Sequence, residues 1–297
     1  RTFSSAASDV YKRQLMSYYD TIIIDGNAFF YRSRYAILRR SKNELTNQDG
    51  VITTGSYGFL NNLFYILKTY GKPKHLVSTF DAGGGNFRKE LDPNYKAGRE
   101  KVSQNHIQDF RNLVDFILPS MGSQIFMRKG IEADDIIFTL SLDDRLGKTL
   151  IVTVDLDLLG CLSERVDVLV FNSAKKKKVW TLPTFEEEYC IPITHYPLYK
   201  SIKGDSSDNV KGIKGYGHKR AVKVIQGIVS GSVIEDFFCQ EDLTTICDNM
   251  KLMALLNCGP LNFPLLPFNL NKDAFTMMCE DFRFNTFIKR LEKGGLF

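Results

Sequence analysis

The stretch Y-D-T-I-I-I-D-G-N, residues 19–27, decides how the chain is read. A short apolar run, Tyr19–Ile24, is closed at once by the turn residues Asp25-Gly26-Asn27. Such a run reads as a strand buried on both faces, as in a parallel sheet. An acid at its carboxyl end lies where open α/β sheets bind their ligands. From this segment alone, Asp25 is equally readable as the N-cap of a following helix. Phe29, Phe30 and Arg32 then fall on a helical stretch.

The pattern of strand and acid returns along the chain. An amphipathic helix over 53–70 carries Phe59, Leu60, Leu63, Phe64, Ile66, Leu67 and Tyr70 near a 3.6-residue period, and Gly71-Lys72-Pro73 stops it. His75–Phe80 reads as a second strand, ending on Asp81. After Gly83-Gly84-Gly85 comes a basic stretch with Arg88, Lys89, Tyr95, Lys96 and Arg99, then a helical segment over 101–118. Ser123–Met127 is a third strand, followed by G-I-E-A-D-D (130–135) at the start of an apolar helix. The spacing puts Glu132 and Asp135 on one helix face with Asp134 beside them; acids in a first turn also complement the helix dipole. Lys148–Val154 is a fourth strand, running into Asp155-Leu156-Asp157. Residues 166–172 and 178–182 read as a hairpin whose turn holds Lys175–Lys178, a solvated turn being favoured over a phosphate contact.

A second stretch, G-D-S-S-D-N-V-K-G-I-K-G-Y-G-H-K-R (204–220), joins an acidic half to a basic one. Asp205 and Asp208 stand three apart, so one helical turn would put both carboxylates on one face. Gly212, Gly215 and Gly217 interleave with Lys211, Lys214, Lys219 and Arg220, a composition able to present backbone N–H groups and cations to phosphate. Short helices are expected at 218–230, 232–238, 241–256, 271–281 and 283–293, broken by a loop with Pro260, Pro264 and Pro267.

Nine acids thus collect at strand ends and turns: Asp25, Asp81, Glu132, Asp134, Asp135, Asp155, Asp157, Asp205 and Asp208. Carboxylates do not crowd together without cations to neutralise them. An all-oxygen donor set without His or Cys favours Mg²⁺, or Mn²⁺, over zinc. Two such ions would activate a water and steady the leaving oxygen of a phosphoryl displacement. The chain has 39 Lys and Arg against 34 Asp and Glu, a net charge of +5. Setting the nine acids aside (34 less 9) leaves 25 against 39 bases, an excess of 14 suited to a phosphate polymer. The 297 residues are enough for one large core, and 43% hydrophobic with 25% charged residues excludes disorder. No apolar run approaches the ~20 residues that span a bilayer. The scattered cysteines, without a C-x-x-C pair, point to a reduced cytoplasmic setting. The four histidines show no ligand spacing and are given no catalytic role.

These residues carry a family resemblance. I-I-I-D-G-N-A-F-F-Y-R (22–32), F-D-A-G-G-G-N-F-R (80–88), P-N-Y-K-A-G-R (93–99), G-I-E-A-D-D (130–135), T-V-D-L-D (153–157) and the stretch 204–219 resemble, in order, the 5′-nucleases of the flap endonuclease family. The likeness is greatest to the stand-alone bacteriophage type and to the exonuclease domain of bacterial DNA polymerase I. It spans residues 22 to about 226; beyond 230 the match is loose.

The resemblance implies an α/β fold, a mostly parallel twisted sheet flanked by helices in a PIN-like core over 16–203, with an arch at about 93–118. A helical DNA-binding subdomain with a helix–turn–helix element, packed on that core, is expected over 204–297. Two or more Mg²⁺ or Mn²⁺ ions would be held by the nine acids. Lys96 would stabilise charge on the scissile phosphate, with Arg88 and Arg99 steering the strand and Arg32 touching DNA near the site. Lys211, Lys214, Gly215, Gly217, Lys219 and Arg220 would grip duplex phosphates, with a K⁺ ion at the Gly215–Lys219 turn. The substrate implied is DNA with a 5′ flap or a 5′ end at a duplex junction, with an RNA–DNA primer as a further substrate. The protein would act as a monomer in the cytoplasm, that of the bacterial host if it is phage-encoded and serves phage replication. Leu156 between two acids, and Lys211 and Lys214 where prolines are common, depart from the family pattern.

A PIN-like ribonuclease would share the acids but not the G-x-G-x-K element. A catalytically silent junction-binding protein should have lost some of the acids. Residues 1–15 resemble translated adapter sequence and are expected to be a non-native tail before a start at Met16. The lack of a following polymerase domain favours the stand-alone form.

Overall fold

The computed structural model describes residues 19–84, 87–97, 104–171 and 177–293. The expectations for residues 1–15, for Arg99 and for Lys175 and Lys176 lie outside these.

Six strands make one sheet: β1 (Thr21–Asp25), β2 (His75–Asp81), β3 (Gln124–Arg128), β4 (Thr149–Thr153), β5 (Val166–Phe171) and β6 (Lys177–Trp180). Their order is β3-β2-β1-β4-β5-β6. The first five are parallel, and β6 returns antiparallel on β5. The chain lays β2 and β3 on one side of β1, then crosses back to lay β4 and β5 on the other. The order therefore reverses between β1 and β4, and the crevice beyond their carboxyl ends is the natural ligand position of such a sheet.

The strands are apolar on both faces because helices cover both. Ile22, Ile24, Leu150, Val152 and Leu169 join one core, while Ile23, Val77, Ile151, Val168 and Val170 join the other. This is the two-residue period of a strand. Ile22, Ile23 and Ile24 are wholly buried, each contributing roughly 1.5–3 kcal/mol by transfer.

The helices are α1 (Gly26–Ser41), α2 (Thr54–Tyr70), α3 (Phe87–Leu91), α4 (Gln104–Asn112), α5 (Ala133–Ser141), α6 (Leu182–Tyr189), α7 (Tyr196–Lys203), α8 (His218–Val229), α9 (Gln240–Met253), α10 (Lys272–Asp281) and α11 (Asn285–Glu292). Phe29 and Phe30 of α1 and the apolar face of α2 pack on the first core, and α5 through α9 on the second. The helix expected at 232–238 is only a short 3₁₀ turn, Ile234–Asp236.

The single helical subdomain expected over 204–297 divides. Ala221, Val224, Ile225 and Ile246 stay on the second face, whereas Phe275, Phe284 and Phe287 cross to the first. There Phe275 and Phe287 meet Phe64 at 5.8 and 5.2 Å between ring centroids. The proline-rich segment between α9 and α10 carries the chain across, along the β3 edge. The Gln124 side chain donates to the Pro264 carbonyl (2.9 Å) and accepts from the Leu266 amide (3.1 Å), and the Phe268 amide donates to the Lys74 carbonyl (2.6 Å). A bare strand edge is a template for unwanted pairing, and this strap covers it. Among the described residues no helix is long and apolar enough to cross a membrane.

Candidate active site

Both sequence readings of Asp25 hold at once. It ends β1, and its side chain accepts from the Ala28 amide (3.3 Å) as the N-cap of α1. It is 3% exposed and also accepts from the Thr153 hydroxyl on β4 (2.6 Å). Asp81 ends β2, accepting from the Asn27 side chain (3.0 Å) and from the Ala133 amide that opens α5 (2.8 Å). Asp155 follows β4, with its amide bonded to the Thr153 hydroxyl and its carboxylate accepting from the Asp157 amide (2.9 Å). Asp134 lies in the first turn of α5. Three adjacent parallel strands, β2, β1 and β4, thus deliver acids to one crevice.

The electrostatics confirm that these groups feel one another. Burial, opposed by the Thr153 bond and reinforced by Asp155 and Asp81, pushes Asp25 up to about 7. Burial, then Asp25, Asp155 and Asp81, with Lys96 in opposition, pushes Asp134 well above the usual carboxylate range.

A neighbouring group shares Asp155. Asp157 opens a 3₁₀ turn, Asp157–Cys161. Burial and then Asp155 push it up to about 6, against the pull of Lys200. Lys200 on α7 lies 2.5 Å from Asp157 and 2.5 Å from Asp205. Asp205 is held down at about 2: burial raises it, but the Lys200 and Ser207 bonds outweigh that. Lys200 is a residue the sequence reading missed. Its signal was its place five positions before Asp205, on a helix ending at the acidic stretch.

Asp205 and Asp208 do not share a helical turn. Two short antiparallel strands, β7 (Gly204–Asp205) and β8 (Val210–Lys211), flank a turn. The Asp205 carboxylate accepts from both the amide (2.8 Å) and the hydroxyl of Ser207, a local turn that competes with helix. Gly204 and Gly212 allow the hairpin to close, since a Cβ on Gly204 would lie 2.2 Å from the Gly212 nitrogen.

Asp208 instead faces the loop after α3. It accepts from the Tyr95 hydroxyl (3.3 Å), and its carbonyl accepts from the Lys96 amide (3.2 Å). The Lys96 ammonium lies 3.1 Å from Glu132 and 3.9 Å from Asp208. Lys96 has a left-handed backbone, φ 56°, a conformation few non-glycine residues adopt. Burial opposes its charge, but Glu132 and its neighbours hold it protonated.

Two of the expected site residues are held by partners within the protein. Arg88 does not face a passing strand: it is 2% exposed and grips Asp135 with both terminal nitrogens (2.7 and 2.8 Å). It also donates to Glu132 (3.0 Å) and to the carbonyls of Leu252 and Ala254. Asp135 accepts in addition from the Leu256 amide (2.9 Å). The reason is compensation: a buried guanidinium needs carboxylates and carbonyls around it. Arg32 lies at the far side of the crevice, donating to the Phe171 carbonyl (3.1 Å) with its guanidinium 5.1 Å from the Phe171 ring.

The basic half of 204–220 is on the surface. Lys211, Lys214, Gly215, Gly217, Lys219 and Arg220 are all exposed. Gly215 has φ +86°, and Arg220 donates to its carbonyl (3.1 Å).

With the side chains as placed, no three acidic, histidine or cysteine residues among those described converge closely enough to hold a metal ion. The donor set nevertheless fits hard divalent cations. It is all oxygen, and its buried carboxylates are pushed up first by burial and then by one another.

The fold is PIN-like, an α/β sheet with acids gathered at the carboxyl ends of adjacent parallel strands. The family model of the 5′-3′ exonuclease N-terminal resolvase-like domain matches residues 20–190. The 5′-3′ exonuclease of Bacillus subtilis is 35% identical over 260 residues, covering 87% of this chain and 83% of that protein. DNA polymerase I of Caldicellulosiruptor bescii is 30% identical over 293 residues, 91% of this chain and 33% of the polymerase, so the chain spans about a third of that relative. Among solved structures, flap endonuclease-1 from Methanococcus jannaschii shares the fold with a TM-score of 0.61 at 17% identity, covering 94% of this chain and 92% of that one. The bacteriophage T5 flap endonuclease in complex with DNA and metal ions has a TM-score of 0.61 at 18% identity, covering 79% and 89%. The chain belongs to the 5′-3′ exonuclease family.

Proposed function

We propose that the protein is a divalent-metal-dependent, structure-specific 5′-nuclease that hydrolyses DNA phosphodiesters near a single-strand/duplex junction. One observation carries the reading: Asp81, Asp25 and Asp155 stand at the carboxyl ends of three adjacent parallel strands, with Asp134 in the same electrostatic neighbourhood. Asp25, Asp81, Asp134 and Asp155 would hold one Mg²⁺ or Mn²⁺ ion, and Asp155, Asp157 and Asp205 a second. Such ions supply an activated water and neutralise charge on the leaving oxygen.

The chain's own residues do the rest. Lys96, fixed between Glu132 and Asp208, sits at the crevice rim with a proton donor for a phosphate oxygen. Arg99 would steer the strand, as the family resemblance implies. Arg32, anchored on Phe171, borders the crevice from β5. Lys211, Lys214, Lys219 and Arg220 form an exposed cationic surface beside the Gly215–Lys219 turn, suited to duplex phosphates and, at the turn, to K⁺. A phage replication role, RNA-primer removal and a monomeric state belong to the same reading.

The test is cleavage of a 5′-labelled flap duplex, a 5′-overhang and single-stranded RNA with Mg²⁺ or EDTA. Flap cleavage with Mg²⁺ and none with EDTA is expected. Cutting of RNA alone would replace this reading with a ribonuclease.

A further inference from the structure

We propose that His218 is a further contact to the duplex backbone and that Tyr199 is the positioning residue that keeps it in register with the cleavage carboxylates. This rests on the nuclease reading above. Tyr199 and Lys200 are consecutive on α7, and their side chains serve opposite halves of the molecule. The Lys200 ammonium reaches Asp157 and Asp205 at 2.5 Å each. The Tyr199 hydroxyl lies 2.8 Å from Nδ1 of His218.

His218 is the first residue of α8, directly after Gly217 and before Lys219 and Arg220. It is exposed, yet its ring is held on two sides. Tyr199 and Tyr189 meet it edge-on, with centroids 5.8 and 5.9 Å away and interplanar angles of 85° and 88°. Tyr199 is itself 3% exposed and stacked on Tyr196. An exposed imidazole ordinarily samples several rotamers, and fixing it costs entropy. Here buried Tyr199 and half-buried Tyr189 have already fixed it, beside two exposed cations at a helix start. A Cβ on Gly217 would meet nothing within 4 Å, so the approach to this point is open.

The chemistry suits an anion in either protonation state. With Tyr199 donating to Nδ1, Nε2 carries the proton of the neutral ring. With the imidazolium, Tyr199 accepts from Nδ1 and Nε2 still donates. Burial pushes the Tyr199 phenol up to about 12, so its O–H persists at neutral pH. The pair gives one turn of α7 a side on the carboxylates and a side on the duplex surface, a fixed span between grip and cut.

The experiment compares wild type with His218→Ala, His218→Gln, Tyr199→Phe and the Tyr199→Phe/His218→Ala double variant. Binding of a labelled blunt duplex and of single-stranded DNA is measured in EDTA, and flap cleavage kinetics with Mg²⁺. His218→Ala and Tyr199→Phe should each weaken duplex binding by about 3–10-fold, the scale of one ordinary hydrogen bond. KM should rise with kcat within about twofold, the signature of lost binding common to ground and transition states. The double variant should be no weaker than His218→Ala, because both remove one coupled contact. His218→Gln, which keeps a side-chain N–H, should recover most of the loss, and single-stranded DNA binding should not change.

Additive losses, an equal loss on single-stranded DNA, or no loss with His218→Ala would overturn the proposal. His218 is exposed, so its variants fold even where Tyr199→Phe lowers the melting temperature. If the wild type fails to cut flaps, the nuclease reading falls, while the EDTA binding arm still decides the duplex contact.

Discussion

The β7–β8 hairpin and the entry to α8 lie within one seventeen-residue stretch and obey opposite physics. In the hairpin, Asp205 and Asp208 are each met by a lysine brought from elsewhere in the chain, Lys200 and Lys96. At the α8 entry, Lys214, Lys219 and Arg220 stand exposed to solvent. A site for small ions has to be dry enough for charges to act strongly at short range, and so must be internally compensated. A site for a phosphate polymer has to be wet and open, and its cations remain on the surface where released counterions drive binding. On the proposed function one stretch carries both, because α7 and the hairpin bridge them.

The sharpest way to break this division is at Asp155, which both carboxylate groups share. Asp155→Ala should lower the cleavage rate on the order of a thousandfold, about 4 kcal/mol of lost transition-state stabilisation. Duplex affinity measured by anisotropy in EDTA should stay within about threefold. If binding falls as far as cleavage, the two halves are not separate.

Next in size is Arg88. Arg88→Met leaves Asp135 buried without its cation, while Glu132 keeps Lys96, and should cost about 3–5 kcal/mol in denaturant unfolding. A variant of wild-type stability that has lost only DNA binding would return Arg88 to the interface.

The third contrast is pH. Asp25, pushed up to about 7, is raised above its unfolded value, so its protonated form is the one folding favours. That contribution is complete below the ordinary aspartate range and is lost as pH rises through about 7. Metal-free protein should therefore melt lower at pH 8 than at pH 5.5, by on the order of 5 °C. Mg²⁺ should restore more of the loss at pH 8, where it no longer displaces protons. Identical pH profiles for wild type and Asp25→Asn without metal would contradict this.

The smallest effect is expected at the open end. Lys219→Ala should weaken duplex binding about threefold, reduce the log–log salt slope by about one and leave the melting temperature unchanged. An unchanged salt slope would remove Lys219 from the phosphate contacts.

The strand-end acids were legible because a buried parallel strand is a continuous apolar run, and an acid closing it stands out. Asp25, Asp81 and Asp155 were found in this way, and the sheet with them. What the sequence hid depended on partners distant in the chain. Arg88 sits among loop cations that look alike until burial separates them; only the meeting of α3 with α5 and α9 shows it is an internal anchor. Lys200 looks like one more lysine of an amphipathic helix until Asp157 arrives from β4. Asp205 and Asp208 invited a helical reading from their spacing, and the Ser207 bonds to Asp205, with the left-handed Asn209 beyond, decided for a turn. The division of the C-terminal helices around the sheet follows from the strap along β3, whose prolines read simply as a loop.

On the proposed function the strand-end carboxylates, and not Asp135, hold the divalent ions. Crystals grown with Mn²⁺ and measured at the manganese edge test it directly. The account predicts anomalous peaks among Asp25, Asp81, Asp134 and Asp155 and between Asp157 and Asp205, with Asp135 still gripped by Arg88. Manganese bound by Asp135, or no peak at the ends of β1 and β4, would contradict it.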